Sequence, residues 1–261
     1  MLPKVEYPQT SAAMTPEAIQ VLSNILTPLL HFAIAWVMVR RKLLTTFPVF
    51  FGYIVFHLVR HLAEMASMTA HPVAYFWIWW GAEGVDAVLI LAVIQELFTV
   101  MFEPYEALRQ RGVTIFRWST IILCIGAGTT AIVSPASETN QLMSKLFVLD
   151  RSVQIVQLGL LFFLFVICKI FGMTWRHYVF GIASGFLLMT AISTANFAVR
   201  AHEGQIGNVL WNSLGPLGFM LGEITWMCYF ASEKSLVPLN TVPRTTQLIA
   251  WNDALSKARR R

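Results

Sequence analysis

Residues 47–68 read FPVFFGYIVFHLVRHLAEMASM, an apolar run that nonetheless contains His57, Arg60, His61 and Glu64. A helix of about 20 residues crosses the hydrocarbon core of a bilayer, and the run has that length. The four ionisable residues recur at i, i+3, i+4 and i+7, which sets them on one helical face. Near the bilayer centre each such group costs about 2.5 to 3.5 kcal/mol on insertion scales. The face must therefore meet partners or water inside a bundle, and further helices have to close around it.

The rest of the chain has the composition to supply them. Of 261 residues, 56% are hydrophobic and only 13% charged, too little polar sequence to coat a water-soluble domain. Besides 47–68, apolar stretches occupy 17–39, 75–102, 115–133, 146–171, 178–199 and 209–230. The expected fold is an all-α integral membrane protein, a seven-helix up-and-down bundle with short connections between sequential antiparallel helices. Three parts follow: a short extracytoplasmic tail (1–16), the transmembrane domain (17–230) and a cytoplasmic tail (231–261). In the last, Leu248, Ile249, Trp251 and Leu255 precede Lys257 and Arg259 to Arg261, the pattern of a basic helix lying on an anionic leaflet. No cleavable signal is read in the first sixteen residues.

Lysine and arginine placement sets the expected orientation, because basic loops stay cytoplasmic. With seven spans, fourteen of the nineteen fall on one side, among them Arg40 to Lys42 and the C-terminal cluster. Lys4, Lys145, Arg151 and Arg200 fall on the other, and Arg60 lies within a span. The reading is N-out and C-in, in a bacterial-type inner membrane. Nothing outside the spans is long enough for a kinase, cyclase or nucleic-acid-binding module, so a signal would pass through a cytoplasmic or membrane protein partner. Cys124, Cys168 and Cys228 fall within spans and suggest neither a disulfide framework nor a cysteine-based metal motif.

Polar residues at one level of the bundle form the candidate site. The second span gives His57, Arg60, His61 and Glu64, and the third gives Glu83 and Asp86, three apart on one face. Asp150 and Arg151 with Gln154 and Gln157 come from the fifth span, Ser193, Asn196 and Arg200 from the sixth, and Asn208 and Asn212 from the seventh. Three arginines against four carboxylates make a nearly balanced set. A second set, nearer the other membrane face, comprises His31, Glu96 and Glu223, as a proton relay or an interhelical clamp. Three readings of the main cluster stay open: a satisfied network that fixes helix register, an outward cavity for a small polar or zwitterionic ligand, and a metal site built on His57, His61 and Glu64. The residues name no cofactor. The preferred function is sensor-like or receptor-like binding, with a solute transporter or an intramembrane metalloenzyme as alternatives.

Packing signals are separate from these. Gly181 with Gly185, Gly218 with Gly222, and the run Gly126 to Gly128 permit close helix contact in lipid. Pro216 frees the carbonyl of Asn212, where a kink is expected. Tyr75, Trp77, Trp79 and Trp80, and at the opposite face Trp226 and Tyr229, read as interfacial belts. Span count and orientation resemble G-protein-coupled receptors and microbial rhodopsins as architecture alone. The seventh span has no lysine for a retinal Schiff base, and the third ends Glu103-Pro104-Tyr105 without the receptors' acidic-Arg-aromatic signature. The seventh span also has no histidine of the kind used by seven-helix zinc hydrolases.

Overall fold

Residues 16–68, 72–103, 141–170, 178–203 and 205–232 are described in the computed structural model, together with 249, 257 and scattered helical positions between 109 and 129. Six long helices occupy them: α1 (Pro16–Arg40), α2 (Pro48–Met68), α3 (Pro72–Met101), α4 (Gln141–Ile170), α5 (Tyr178–Glu203) and α6 (Gln205–Ala231). A 3-10 turn, Leu43–Thr45, joins α1 to α2. Five of the helices contain stretches long and apolar enough to cross a membrane. The described residues include no strand.

The helices are inside-out relative to a soluble bundle. On α1, Ile25, Leu29, Phe32 and Trp36 are 59%, 60%, 62% and 60% exposed, whereas His31, Ile34 and Met38 on the opposite face are buried. A continuous apolar stripe of this kind would be an aggregation site in water and is the ordinary surface of a helix in lipid. Similar outward residues occur on α2 (Val55, Val59, Leu62) and α4 (Ile155, Phe162, Phe163). The fold is that of a multi-pass helical membrane protein.

Contacts run in sequence from α1 to α6 and close into a ring, because α6 packs back on α1; α3 also touches α5. Residue pairings give the directions. His57 faces Asp86 while the start of α2 faces Glu96, so α2 and α3 are antiparallel. Gln154 meets Ser193 and Phe165 meets Phe180, so α4 and α5 are antiparallel too. By contrast, Glu83 lies within electrostatic range of Asp150 and Gln157 donates to the Ala87 carbonyl, which makes α3 and α4 parallel neighbours.

Two polar fastenings hold the end of the bundle at which α1 finishes. Lys42 takes a left-handed conformation (φ 57°, ψ 32°) and lets the chain reverse within a few residues. Arg41 then donates to the carbonyls of Ala231 and Ser232, each at 3.1 Å, and to the Tyr178 hydroxyl at 3.3 Å. A guanidinium there satisfies orphan carbonyls and complements the negative end of the α6 dipole. At the start of α2, Glu96 accepts the backbone N–H groups of Val49 (2.7 Å) and Phe50 (2.9 Å). Pro48 suits this first turn because it brings no further donor to satisfy.

The closest packing joins α5 to α6 through glycines on both sides. A Cβ at Gly181 or Gly185 would strike the rings of Tyr229 or Trp226, and one at Gly218 or Gly222 would strike Ile192 or Met189. This is the contact that the two Gly-xxx-Gly spacings anticipate. Gly126 is different, with nothing within 4 Å of an added Cβ; Ala127 and Gly128 lie outside the described residues. The interfacial reading of Trp226 is corrected: it is fully buried, its indole donating to the Ile182 carbonyl at 3.0 Å amid Phe50, Phe186 and Tyr53. The helical period places Trp226 beneath Gly185, and the missing glycine side chain creates its berth. α6 continues as helix through Pro216.

Replacing Gly185 by valine should overpack this contact and cost about 1 to 3 kcal/mol, read from reversible unfolding of micellar protein by sodium dodecyl sulfate. Gly84→Val, on an open face of α3 with nothing within 4 Å, should stay within about 0.5 kcal/mol of wild type. Equal losses in the two variants would contradict the packing.

Candidate functional site: a cavity between the helices

All six long helices line a cavity of about 470 Å³ in the half of the bundle remote from Arg41. That size falls within the range of small-molecule pockets. Its walls are segregated. Charged groups lie on α2, α3 and α4, hydroxyls and amides come from α1, α4 and α5, and an aromatic side is built from Tyr53, Phe186 and Phe219 with Trp79.

The central charge is Arg60. Its Nε donates to Glu64 Oε1 and its Nη2 to Glu83 Oε2, both at 2.8 Å. The first partner is one turn along the same helix and the second crosses to α3. Both bonds are charge-assisted and sit in a half-buried setting, where a guanidinium's fixed fork suits two carboxylates at once. Asp86, the other expected partner of Arg60, instead accepts from His57 Nε2 at 2.7 Å.

A second wall is built from amide bonding. Gln154 donates to Asp150 at 3.0 Å while accepting from the Ser193 hydroxyl at 3.1 Å, linking α4 to α5. Gln157 reaches the Ala87 carbonyl at 3.4 Å. Arg151 is exposed and does not line the cavity, so its assignment to the cluster is corrected: it lies one residue, about 100° of helix, away from Asp150. Asn196 is buried where α5 passes Gly215. The side chains of Arg200, Asn208 and Asn212 lie outside the described residues.

The second sequence-derived set does not stay together. Glu96 caps α2, as described above, and is not among the cavity residues. His31 and Glu223 do meet, with Nδ1 3.0 Å from Oε1, and they adjoin the main cluster because the His31 ring stacks on His57 at 5.3 Å with an 8° tilt. Similar depth in the sequence had suggested one triad, but azimuth around each helix decides contact and places Glu96 elsewhere. The His31 Nδ1–H is also 3.0 Å from the Thr27 carbonyl and is aligned with that acceptor. Glu223 is close but off the N–H direction, and the Thr27 hydroxyl is its other polar neighbour. His31 Nε2 and His61 Nε2 are buried without a hydrogen-bond partner among the described residues.

Several cavity residues escape the sequence reading. Ser23, Asn24 and Thr27 on α1 and Tyr53, Phe186 and Phe219 on the aromatic side line the space, and Trp79, read as part of an interfacial belt, lines it too. Asn24, Thr27 and His31, at i, i+3 and i+7, carry a periodic signal that could have revealed the α1 contribution. The aromatic residues carry none, because a Phe facing a cavity and a Phe facing lipid look the same in sequence.

The histidines do not form a chelate. His57 is engaged by Asp86 and Glu64 by Arg60, and no three His, Cys, Asp or Glu side chains among the described residues are grouped to hold a metal ion. Fold and site together define a multi-pass helical membrane protein with a polar cavity inside its helical ring. Compared with protein-family models, curated proteins and solved structures, the chain matches none.

The Arg60 to Glu83 bond can be measured with Arg60→Met, Glu83→Gln and the double variant. Each single change should strand a partly buried charge and cost about 3 to 5 kcal/mol. The double change should cost less than the sum of the two. Strict additivity in detergent unfolding would show that the two do not interact.

Proposed function

We propose that this protein is a seven-span, N-out and C-in protein of a bacterial-type inner membrane whose outward-facing cavity binds a small polar ligand in a sensor-like role. The observation that carries the reading is the cavity itself: about 470 Å³ lined by six helices, with buried ring nitrogens of His31 and His61 that have no hydrogen-bond partner among the described residues. Buried polar groups are hydrogen-bonded as a rule, and exceptions need an explanation. A bound small molecule supplies one. A network that served only to fix helix register would be expected to close these bonds internally and leave no such volume.

The seven-span count draws support from direction. α3 and α4 are parallel, so the chain has to return from one end of the bundle to the other between Glu103 and Gln141, where 115–133 is the apolar candidate. Orientation rests on the lysine and arginine distribution, with Arg40 to Lys42 on the cytoplasmic side. A sensor binds without moving its ligand, whereas a transporter would carry it into vesicles and an enzyme would release product. On this reading signalling would use a partner protein.

A reporter active only in the cytoplasm should function when fused after Arg261, and one active only outside should function ahead of Leu2. The reverse pattern would overturn the assigned orientation. For binding, purified full-length protein is screened by thermal shift against amino acids, amines, carboxylates and nucleosides. A ligand present at 100 times its Kd should add about 2.7 kcal/mol of stability by mass action. Ala87→Phe, which projects a ring into the cavity, should abolish the shift, and reconstituted vesicles should bind but not accumulate the compound. An unchanged shift in Ala87→Phe would place binding elsewhere.

A further inference from the structure

We infer that the cavity takes an organic cation, a small molecule bearing an ammonium or guanidinium group with an apolar portion, and not an anion. The inference rests on the ligand-cavity reading and narrows its chemistry.

The first argument is charge. Among the described lining residues there are four carboxylates, Glu64, Glu83, Asp86 and Asp150, against one guanidinium, Arg60. Arg60 is committed to Glu64 and Glu83. Asp86 and Asp150 lie within electrostatic range of each other and of Glu83 across the contact between α3 and α4. Their described hydrogen bonds come from an imidazole and an amide. Like charges gathered in a partly dry site repel, and a cation seated between them relieves that repulsion.

A second, independent argument is the direction of the hydrogen bonds. The wall donors with a described bond are turned on the wall itself: Arg60 on two glutamates, His57 on Asp86, Gln154 on Asp150, Gln157 on Ala87 and Ser193 on Gln154. His31 adds a buried acceptor. The Thr27 carbonyl can only accept, so Nδ1 carries a proton, and Nε2 is an acceptor whenever the ring is uncharged. That Nε2 is buried, lines the cavity through a side chain only 1% exposed, and has no donor. The wall thus offers four carboxylates and an imidazole nitrogen, while its one guanidinium is already paired. An ammonium or guanidinium brings three to five donors and no acceptor, the complement of such a wall.

The aromatic side fits the same ligand. Tyr53, Trp79, Phe186 and Phe219 offer apolar area to a hydrocarbon portion and ring faces to a cation. A carboxylate or phosphate would meet acceptors on one side and rings on the other.

The test uses full-length protein in lipid nanodiscs and five probes: phenylethylamine and agmatine as cations, phenylacetate and glutarate as size-matched anions, and phenylalanine as the zwitterion. Calorimetric titration should show binding of at least one cation and of neither anion. Asp150→Asn should weaken that binding about tenfold or more, the scale of a lost charge-assisted bond. Arg151→Gln, next in sequence but outside the cavity, should leave it unchanged. Asp86→Asn disturbs His57 as well, so the decisive comparison is between probes on the wild-type protein. Binding of an anion in preference to both cations overturns the cation assignment and leaves the cavity reading standing. Binding of phenylalanine alone does the same, since it would require a free donor for the carboxylate. If no probe binds, and the broader metabolite screen is also empty, both readings fall.

Discussion

A guanidinium held within a membrane bundle organises the cavity-bearing half of this molecule. Arg60 sits on α2 at a depth where lipid offers no hydrogen bonds, and an unpaired charge there would cost more than any single packing contact recovers. Glu64 on its own helix satisfies one edge of the fork, and Glu83 on α3 satisfies another. That bond sets the rotation of α2 against α3. Once they are so turned, His57 meets Asp86 and Glu96 meets the open backbone donors at the start of α2, three polar junctions along one interface.

The other side of the ring is held differently. α5 and α6 have few polar contacts between them and associate by backbone approach through four glycines, a mode suited to lipid, where apolar side chains gain little by leaving the solvent. The two modes have different consequences. Glycine contacts fill the space between helices, whereas long charged side chains hold theirs apart. The cavity lies between a tightly packed α5–α6 pair and a polar α2–α3 pair, spanned on one side by α1 and on the other by α4.

Function on the proposed reading follows from where bonds are complete and where they are not. Arg60, Gln154 and Ser193 stiffen the wall, while His31 and His61 each keep a buried ring nitrogen with no partner among the described residues. Pre-formed and unsatisfied, such a site gains more from a ligand than one that must first break internal bonds. The stacking of His31 on His57 links the His31–Glu223 pair to the acidic wall, so Asp86 and Glu223 are separated by only two rings.

Sequence by itself determined the helical membrane class and the face of α2, because both depend on local quantities: run length, hydropathy and a period of 3.6 residues. It also marked the glycines that pack α5 on α6, since a missing side chain at i and i+4 has few other uses in lipid. What only the tertiary structure decided was partnership. Depth along a helix can be counted from its ends, but rotation about its axis relative to a neighbour cannot. So Asp86 goes to His57 rather than Arg60, Arg151 turns out of the cavity, Glu96 caps α2 instead of joining His31 and Glu223, and Trp226 fills the core instead of an interface. Each is a choice among several candidate partners in the sequence, and it is made by how the helices rotate against one another.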